Sequence, residues 1–180
     1  FDLPKDYILR DGEIDLRSGI GFINIQTGDE SNAAMVMVNS LKKNVFCINL
    51  NFDGVKGRSV SAWDSIGETL KGRGFKAAQK NDSKNKRSGG WYQALPNDPG
   101  YYCGWEISDR QILISVEVDD AKKTGKAKVE ENFAKFDIFR EREKLSKFWE
   151  EKNSSLPYIN IPDESLTELY NYGIYKFIIA

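Results

Sequence analysis

The chain has 180 residues, 40% of them apolar and 29% charged, with a formal net charge of −1, the proportions of an ordinary globular domain. No run approaches the roughly 18 uninterrupted apolar residues of a membrane-spanning helix, and the start lacks the basic, apolar and small-residue order of a signal peptide. Histidine is absent, which excludes Ser-His and Cys-His nucleophile pairs and His-ligated zinc.

What remains for catalysis is carboxylate–metal chemistry, Lys or Tyr acid–base work, or a lone cysteine, so the sequence leans away from an enzyme. The first residue is Phe1, and the chain reads as one α+β domain over residues 1–180, excised or trimmed from something longer. Two cysteines without a Cys-x-x-Cys pair describe neither a disulfide framework nor an all-cysteine zinc site. They point to a reducing, cytoplasmic setting.

In chain order, Gly19 to Thr27, Ala33 to Ser40 and Asn44 to Phe52 read as an antiparallel meander. The third is the clearest strand. Phe46, Ile48, Leu50 and Phe52 alternate with Cys47, Asn49 and Asn51, a period of two that sends the sets to opposite faces. Ala33 to Lys43 has a competing helical reading, since Ser31 and Asn32 are good caps; the strand is preferred. Ser61 to Leu70 reads as a short helix, capped by Ser59 or Ser61 and ended by Gly72 and Gly74. After a basic connection, Trp91 to Leu95, Tyr101 to Ile107 and Gln111 to Val118 form a second meander, with turns at Pro96–Gly100 and Ser108-Asp109.

From about Lys126 to Lys152 the pattern is helical, with favourable Glu131–Lys135 and Glu143–Lys147 pairs. Val129, Phe133, Phe136 and Phe139 cluster on one side, while Ile138, Leu145 and Trp149 lie roughly opposite. Either the helix breaks near Phe139 or it has two apolar faces. Tyr158 to Ile161 is expected as a short strand and Asp163 or Ser165 as the start of a helix. Gly173 is expected to stop that helix, leaving Ile174 to Ile179 as a final strand. The resulting fold is α+β, a mostly antiparallel sheet of two meanders with about three helices packed on one face.

The strongest functional signal is charge asymmetry. Between Lys71 and Arg87, seven cations (Lys71, Arg73, Lys76, Lys80, Lys84, Lys86 and Arg87) stand against Asp82 alone, a net +6 that leaves −7 for the rest of the chain. Trp91 and Tyr92 flank the segment, after Ser88-Gly89-Gly90. Cations beside aromatic rings suit a nucleic-acid strand, phosphates being neutralised and bases stacked. The same composition also describes an exposed, solvated loop.

Gly12-Glu13-Ile14-Asp15-Leu16 followed by Phe22-Ile23-Asn24-Ile25-Gln26 resembles the metal-binding core of PD-(D/E)XK nucleases. The resemblance covers a small part of the chain. It implies a nuclease-like enzyme or an inactive relative, and Asn24 and Gln26 stand where the family carries a carboxylate and a lysine. Without those groups too little charge remains to hold magnesium and activate water. Glu117 and Asp119 share a strand face and form a second candidate for a divalent ion. No cofactor is implied. Cys47 falls on its strand's polar face, and Cys103 reads as a small core residue.

The second apolar set on the long helix, Ile138, Leu145 and Trp149, is the candidate for a protein partner or a homodimer. If the helix is covered on both sides, those residues are core instead. The expected function is therefore binding without catalysis, of nucleic acid or another polyanion. A protein-interaction module (inhibitor, immunity or accessory protein) is the alternative.

Overall fold

The alternating segments pair into a single sheet. The computed structural model describes residues 5–15, 18–28, 32–53, 63–82, 87–119, 124–157 and 159–179. Along the chain run β1 (Ile8–Asp15), β2 (Ile20–Gln26), β3 (Asn32–Asn39), β4 (Val45–Leu50) and helix α1 (Trp63–Gly72), then β5 (Gln79–Asp82), β6 (Ser88–Leu95), β7 (Asp98–Ile107) and β8 (Gln111–Asp119). Helices α2 (Gly125–Ala134), α3 (Ile138–Ser154) and α4 (Glu164–Ile179) complete the described residues. The eight strands lie in the order β1-β2-β3-β4-β8-β7-β6-β5, and every pairing is antiparallel. The fold is α+β. Both expected meanders are present, and pairing of β4 with β8 fuses them into one sheet.

Residues opposite one another on antiparallel strands point to the same face, so the register sorts the side chains. One face carries Ile20, Val38, Val45, Cys47 and Leu113, which are buried with Ile138 and Leu145 of α3 and packed by Phe133, Phe136 and Trp149. The other carries Ile25, Ala33, Met35, Ile48, Leu50 and Ile112, which are buried with Phe52. Tyr7 covers this second cluster, its ring 5.1 Å from that of Phe52.

The long helical pattern breaks at Lys135–Asp137. Asp137 takes extended backbone and accepts hydrogen bonds from the N–H groups of Phe139 and Arg140, capping α3. The break resolves the two apolar stripes, because the stripe of α2 and that of α3 now reach the same core. It also leaves Phe139 on the outside, 78% exposed.

Close approach of the helices requires glycine at two places. A Cβ on Gly104 would lie 2.5 Å from Cγ1 of Val129, so α2 rests directly on the β7 backbone. Gly19 has φ of +65°, and a Cβ there would overlap the Trp149 indole, which lies over the β1–β2 turn.

Burial of an ionised carboxylate fixes α3 against the sheet. Glu141 is 3% exposed. Its Oε2 accepts a 2.6 Å bond from the Ser40 hydroxyl at the β3–β4 turn, and its Oε1 receives Lys144 Nζ at 2.9 Å and Lys43 Nζ at 3.6 Å. Burial pushes this carboxyl up, but the hydrogen bonds from Ser40 and Lys144 and the charges of Lys144 and Lys43 outweigh it, holding Glu141 below the ordinary glutamate range.

Three expectations are corrected. Ile174 to Ile179 is helical, since α4 runs through Gly173 to Ile179. A helix closes its backbone hydrogen bonds within itself and needs no sheet edge. Residues 159–161 form no strand; Thr167 instead accepts from Ile161 N–H and donates to Ile161 C=O, tying α4 to that segment. The basic connection contains a strand, β5, which is too short and polar to show a period. The expected caps Ser59 and Ser61 lie outside the described residues.

Gly104→Ala forces Val129 or the β7 backbone to move and is expected to lower the urea midpoint by an amount equivalent to about 1–3 kcal/mol. Gly72→Ala, with no heavy atom within 4 Å of its Cβ position, is expected to change stability by less than about 1 kcal/mol. Glu141→Gln is expected to cost about 1–3 kcal/mol at neutral pH. Because the folded carboxyl titrates below its unfolded value of about 4.3, its contribution is full above that value and is lost as pH falls through the lowered one. The stability gap between wild type and Glu141→Gln should narrow as pH falls from about 5 toward 3 in denaturant titrations.

Candidate functional site

Strand alternation splits the expected basic and aromatic surface. Trp91 pairs with Lys80 and Cys103, whereas Tyr92 pairs with Gln79 and Tyr102. Tyr102 and Gly104 face α2, so Tyr92 is on the helix side and Trp91 on the other. Tyr92 and Trp91 therefore do not form one platform. Lys80 Nζ lies 5.4 Å from the Trp91 ring centroid, a cation–π contact. Arg87 is paired with Asp109 at 3.2 Å. Lys71, Arg73 and Lys76 are exposed. The Gln93 amide donates to the Lys76 carbonyl at 2.9 Å, and Gly74 lies against Pro96, so these three cations border the β6–β7 turn. Lys84 and Lys86 lie outside the described residues.

The face turned away from α2 and α3 shows a feature that residue counting along the chain does not. Three cross-strand rows run over β4, β8, β7 and β6: Phe46–Ile114–Trp105, Val116–Cys103–Trp91 and Val118–Tyr101–Gln93. Phe46 is 36%, Tyr101 37%, Val116 45% and Val118 58% exposed. Trp91, Trp105, Cys103 and Ile114 are half-buried. The Trp105 indole N–H is buried without an acceptor. This half of the face is thus an apolar and aromatic surface, whereas the half toward Leu50 is closed by Tyr7 and Phe52. The signal available in the sequence was the alternation Ile112, Ile114, Val116, Val118, which marks an apolar face without telling whether anything covers it.

The expected partner surface on the long helix is placed differently. Ile138 and Leu145 are buried against the sheet, and Trp149 packs on the same cluster. These side chains belong to the core, the alternative that sequence reading carried.

Four of the carboxylates on the sheet are engaged in local structure. Asp15 of the nuclease-like segment accepts from Ser18 Oγ at 2.6 Å, and the preceding Asp11 accepts from Asn24 Nδ2 at 2.6 Å, so both acids fasten the β1–β2 hairpin, while Glu13 is exposed. Glu117 accepts from Asn132 and Asn44, while Asp119 accepts from Gly125 N–H at the start of α2. Glu117 and Asp119 thus position α2. Among the described residues no three His, Cys, Asp or Glu side chains gather as a metal site. On the helix side a cleft of about 420 Å³ opens between α2 and β6–β7, lined by Tyr102, Phe133, Glu106 and Glu130 among others. Its Lys126 and Glu130 pair with each other at 3.8 Å.

Cys47, expected on a polar face, is fully buried with Val45 beneath the helices. Burial pushes its thiol up to about 12, against a lowering contact from Gln111. Burial also raises Cys103. Neither is an activated nucleophile.

No helix among the described residues is long and apolar enough to cross a membrane. No family model matches the sequence, and neither a curated protein nor a solved structure shows significant similarity to it. The class defined by the fold is α+β, an antiparallel sheet with α2 and α3 on one face and an apolar surface on half of the other.

In native protein Cys47 should resist a thiol-specific chromogenic reagent, reacting only as fast as the chain unfolds, whereas in denaturant it should react at the rate of a free thiol. Rapid native reaction of Cys47 in a Cys103→Ser background would contradict its burial.

Proposed function

We propose that this protein is a non-catalytic binding module whose contact surface is the open half of the sheet face, with Lys71, Arg73, Lys76 and Lys80 along one border. The observation that carries this reading is the exposure of Phe46, Val116, Val118 and Tyr101 together, in register on adjacent strands. Scattered exposed apolar residues are normal, but a contiguous patch with a polar border marks an interaction surface. The local hydrogen bonds of Asp11, Asp15, Glu117 and Asp119 and the lack of histidine support binding over catalysis.

A second reading, a nucleic-acid strand as the ligand, is favoured by one specific contact, Lys80 over the Trp91 ring. There a base would stack on the indole while the neighbouring cations neutralise phosphates. It is tested by titrating labelled single-stranded DNA, double-stranded DNA and RNA across a salt series. A strand held by the four bordering cations would lose affinity with a log–log salt slope of about −3, since each phosphate contact on a single strand contributes about −0.7. A variant with Lys71, Arg73, Lys76 and Lys80 changed to Ser would lose that binding. Absence of binding at low salt removes the nucleic-acid reading while leaving the contact surface intact as a proposal.

A further inference from the structure

The chemistry of the open face goes further than its exposure. Phe46, Ile114, Val116 and Val118 make up its β4–β8 side, and the register places them next to one another. Three of these are aliphatic, offering neither a ring for a base nor a charge for a phosphate. They are the side chains on which a second polypeptide layer packs, the way open sheets are normally closed. Along the three rows Phe46–Ile114–Trp105, Val116–Cys103–Trp91 and Val118–Tyr101–Gln93 no carboxylate stands on β4, β8, β7 or β6, and the register carries the first row through Gly89 to Asp82 on β5. At the border with β5 and the β6–β7 turn, where Lys80 stands over Trp91 and Lys71, Arg73 and Lys76 flank the turn, these four cations stand against the one acid of β5, Asp82.

From this complementarity we infer that the open face docks a polypeptide partner with an apolar, β-branched or aromatic contact surface and carboxylates along the side that meets β5 and β6. The inference rests on the open face being the contact surface and names the kind of partner. The apolar centre supplies affinity through area removed from water, while the cationic border sets orientation and encounter rate. Arg87, already paired with Asp109, takes no part.

The test uses the full chain and a phage-displayed library of random peptides, selected against wild type. The selected peptides are then measured on purified wild type, on Val116→Gln/Val118→Gln, and on Lys71→Ser/Arg73→Ser/Lys76→Ser/Lys80→Ser. Circular dichroism and thermal unfolding establish that both variants remain folded; a milder Val118→Thr replaces the first if it does not. The expected result is peptides combining apolar residues with Asp or Glu. Their affinity should fall about tenfold or more on Val116→Gln/Val118→Gln, and their association rate should fall on the Lys/Arg variant and at raised salt. Peptides that bind all three proteins equally would overturn both the contact surface and the partner. Peptides that need Val116 and Val118 but carry no acidic residues would overturn the partner chemistry alone. A concentration-dependent dimer in sedimentation, abolished by Val116→Gln/Val118→Gln, would assign the face to a second copy and also sink the inference. So would single-stranded DNA binding that the same two substitutions abolish.

Discussion

Pairing of β4 with β8 is the constraint on which the rest of the molecule depends. Each meander by itself is a local structure, formed by strands that neighbour one another in sequence. Val45 to Asn49 must meet Gln111 to Ser115 before either can bury its inner strand, and closing that long connection costs entropy that later burial must offset. Once the two strands meet, Cys47 sits opposite Leu113 and Ile48 opposite Ile112. One pairing therefore assembles part of both cores, on the two faces of the sheet.

The helix side adds a second long-range tie. Ser40 and Glu141 are separated by 101 residues, and their 2.6 Å bond joins the β3–β4 turn to α3. A buried carboxylate is unfavourable unless fully compensated, and Glu141 receives a hydroxyl and two ammonium groups. The arrangement specifies where α3 lies, because sliding of the helix would take Glu141 away from Ser40 and Lys43 and leave it only Lys144 of its own helix. Gly104 on β7 and Gly19 at the β1–β2 turn serve the same end by letting α2 and Trp149 approach the backbone.

The two sheet faces consequently differ in kind. Beneath α2 two carboxylates that face the helix are engaged, Glu117 by Asn132 and Asp119 by the start of α2. On the other face the closed half under Tyr7 and Phe52 grades into the rows of Phe46, Val116 and Val118, whose apolar surface meets solvent. A polar outer face is the ordinary solution for an antiparallel sheet with a single covered side. Departure from it on four adjacent strands is the basis for reading this surface as a contact.

Local chemistry was legible in the residues themselves. The period of two in Val45–Leu50 and Gln111–Asp119, the turn residues between β6, β7 and β8, and the aromatic stripes of the long helical segment determined a largely antiparallel α+β fold, because alternation and turn geometry act over a few residues. The period gives the two faces of each strand but does not label them: Cys47, on the polar face with Asn49 and Asn51, is buried, whereas Phe46, on the apolar face with Ile48 and Leu50, is 36% exposed. Only the tertiary structure decided which face α2 and α3 cover, that Trp91 and Tyr92 part company, that Ile138 and Leu145 are core, and that α4 stays helical past Gly173. Those outcomes follow from strand pairing and helix docking between residues far apart in the chain, where no local pattern carries the information.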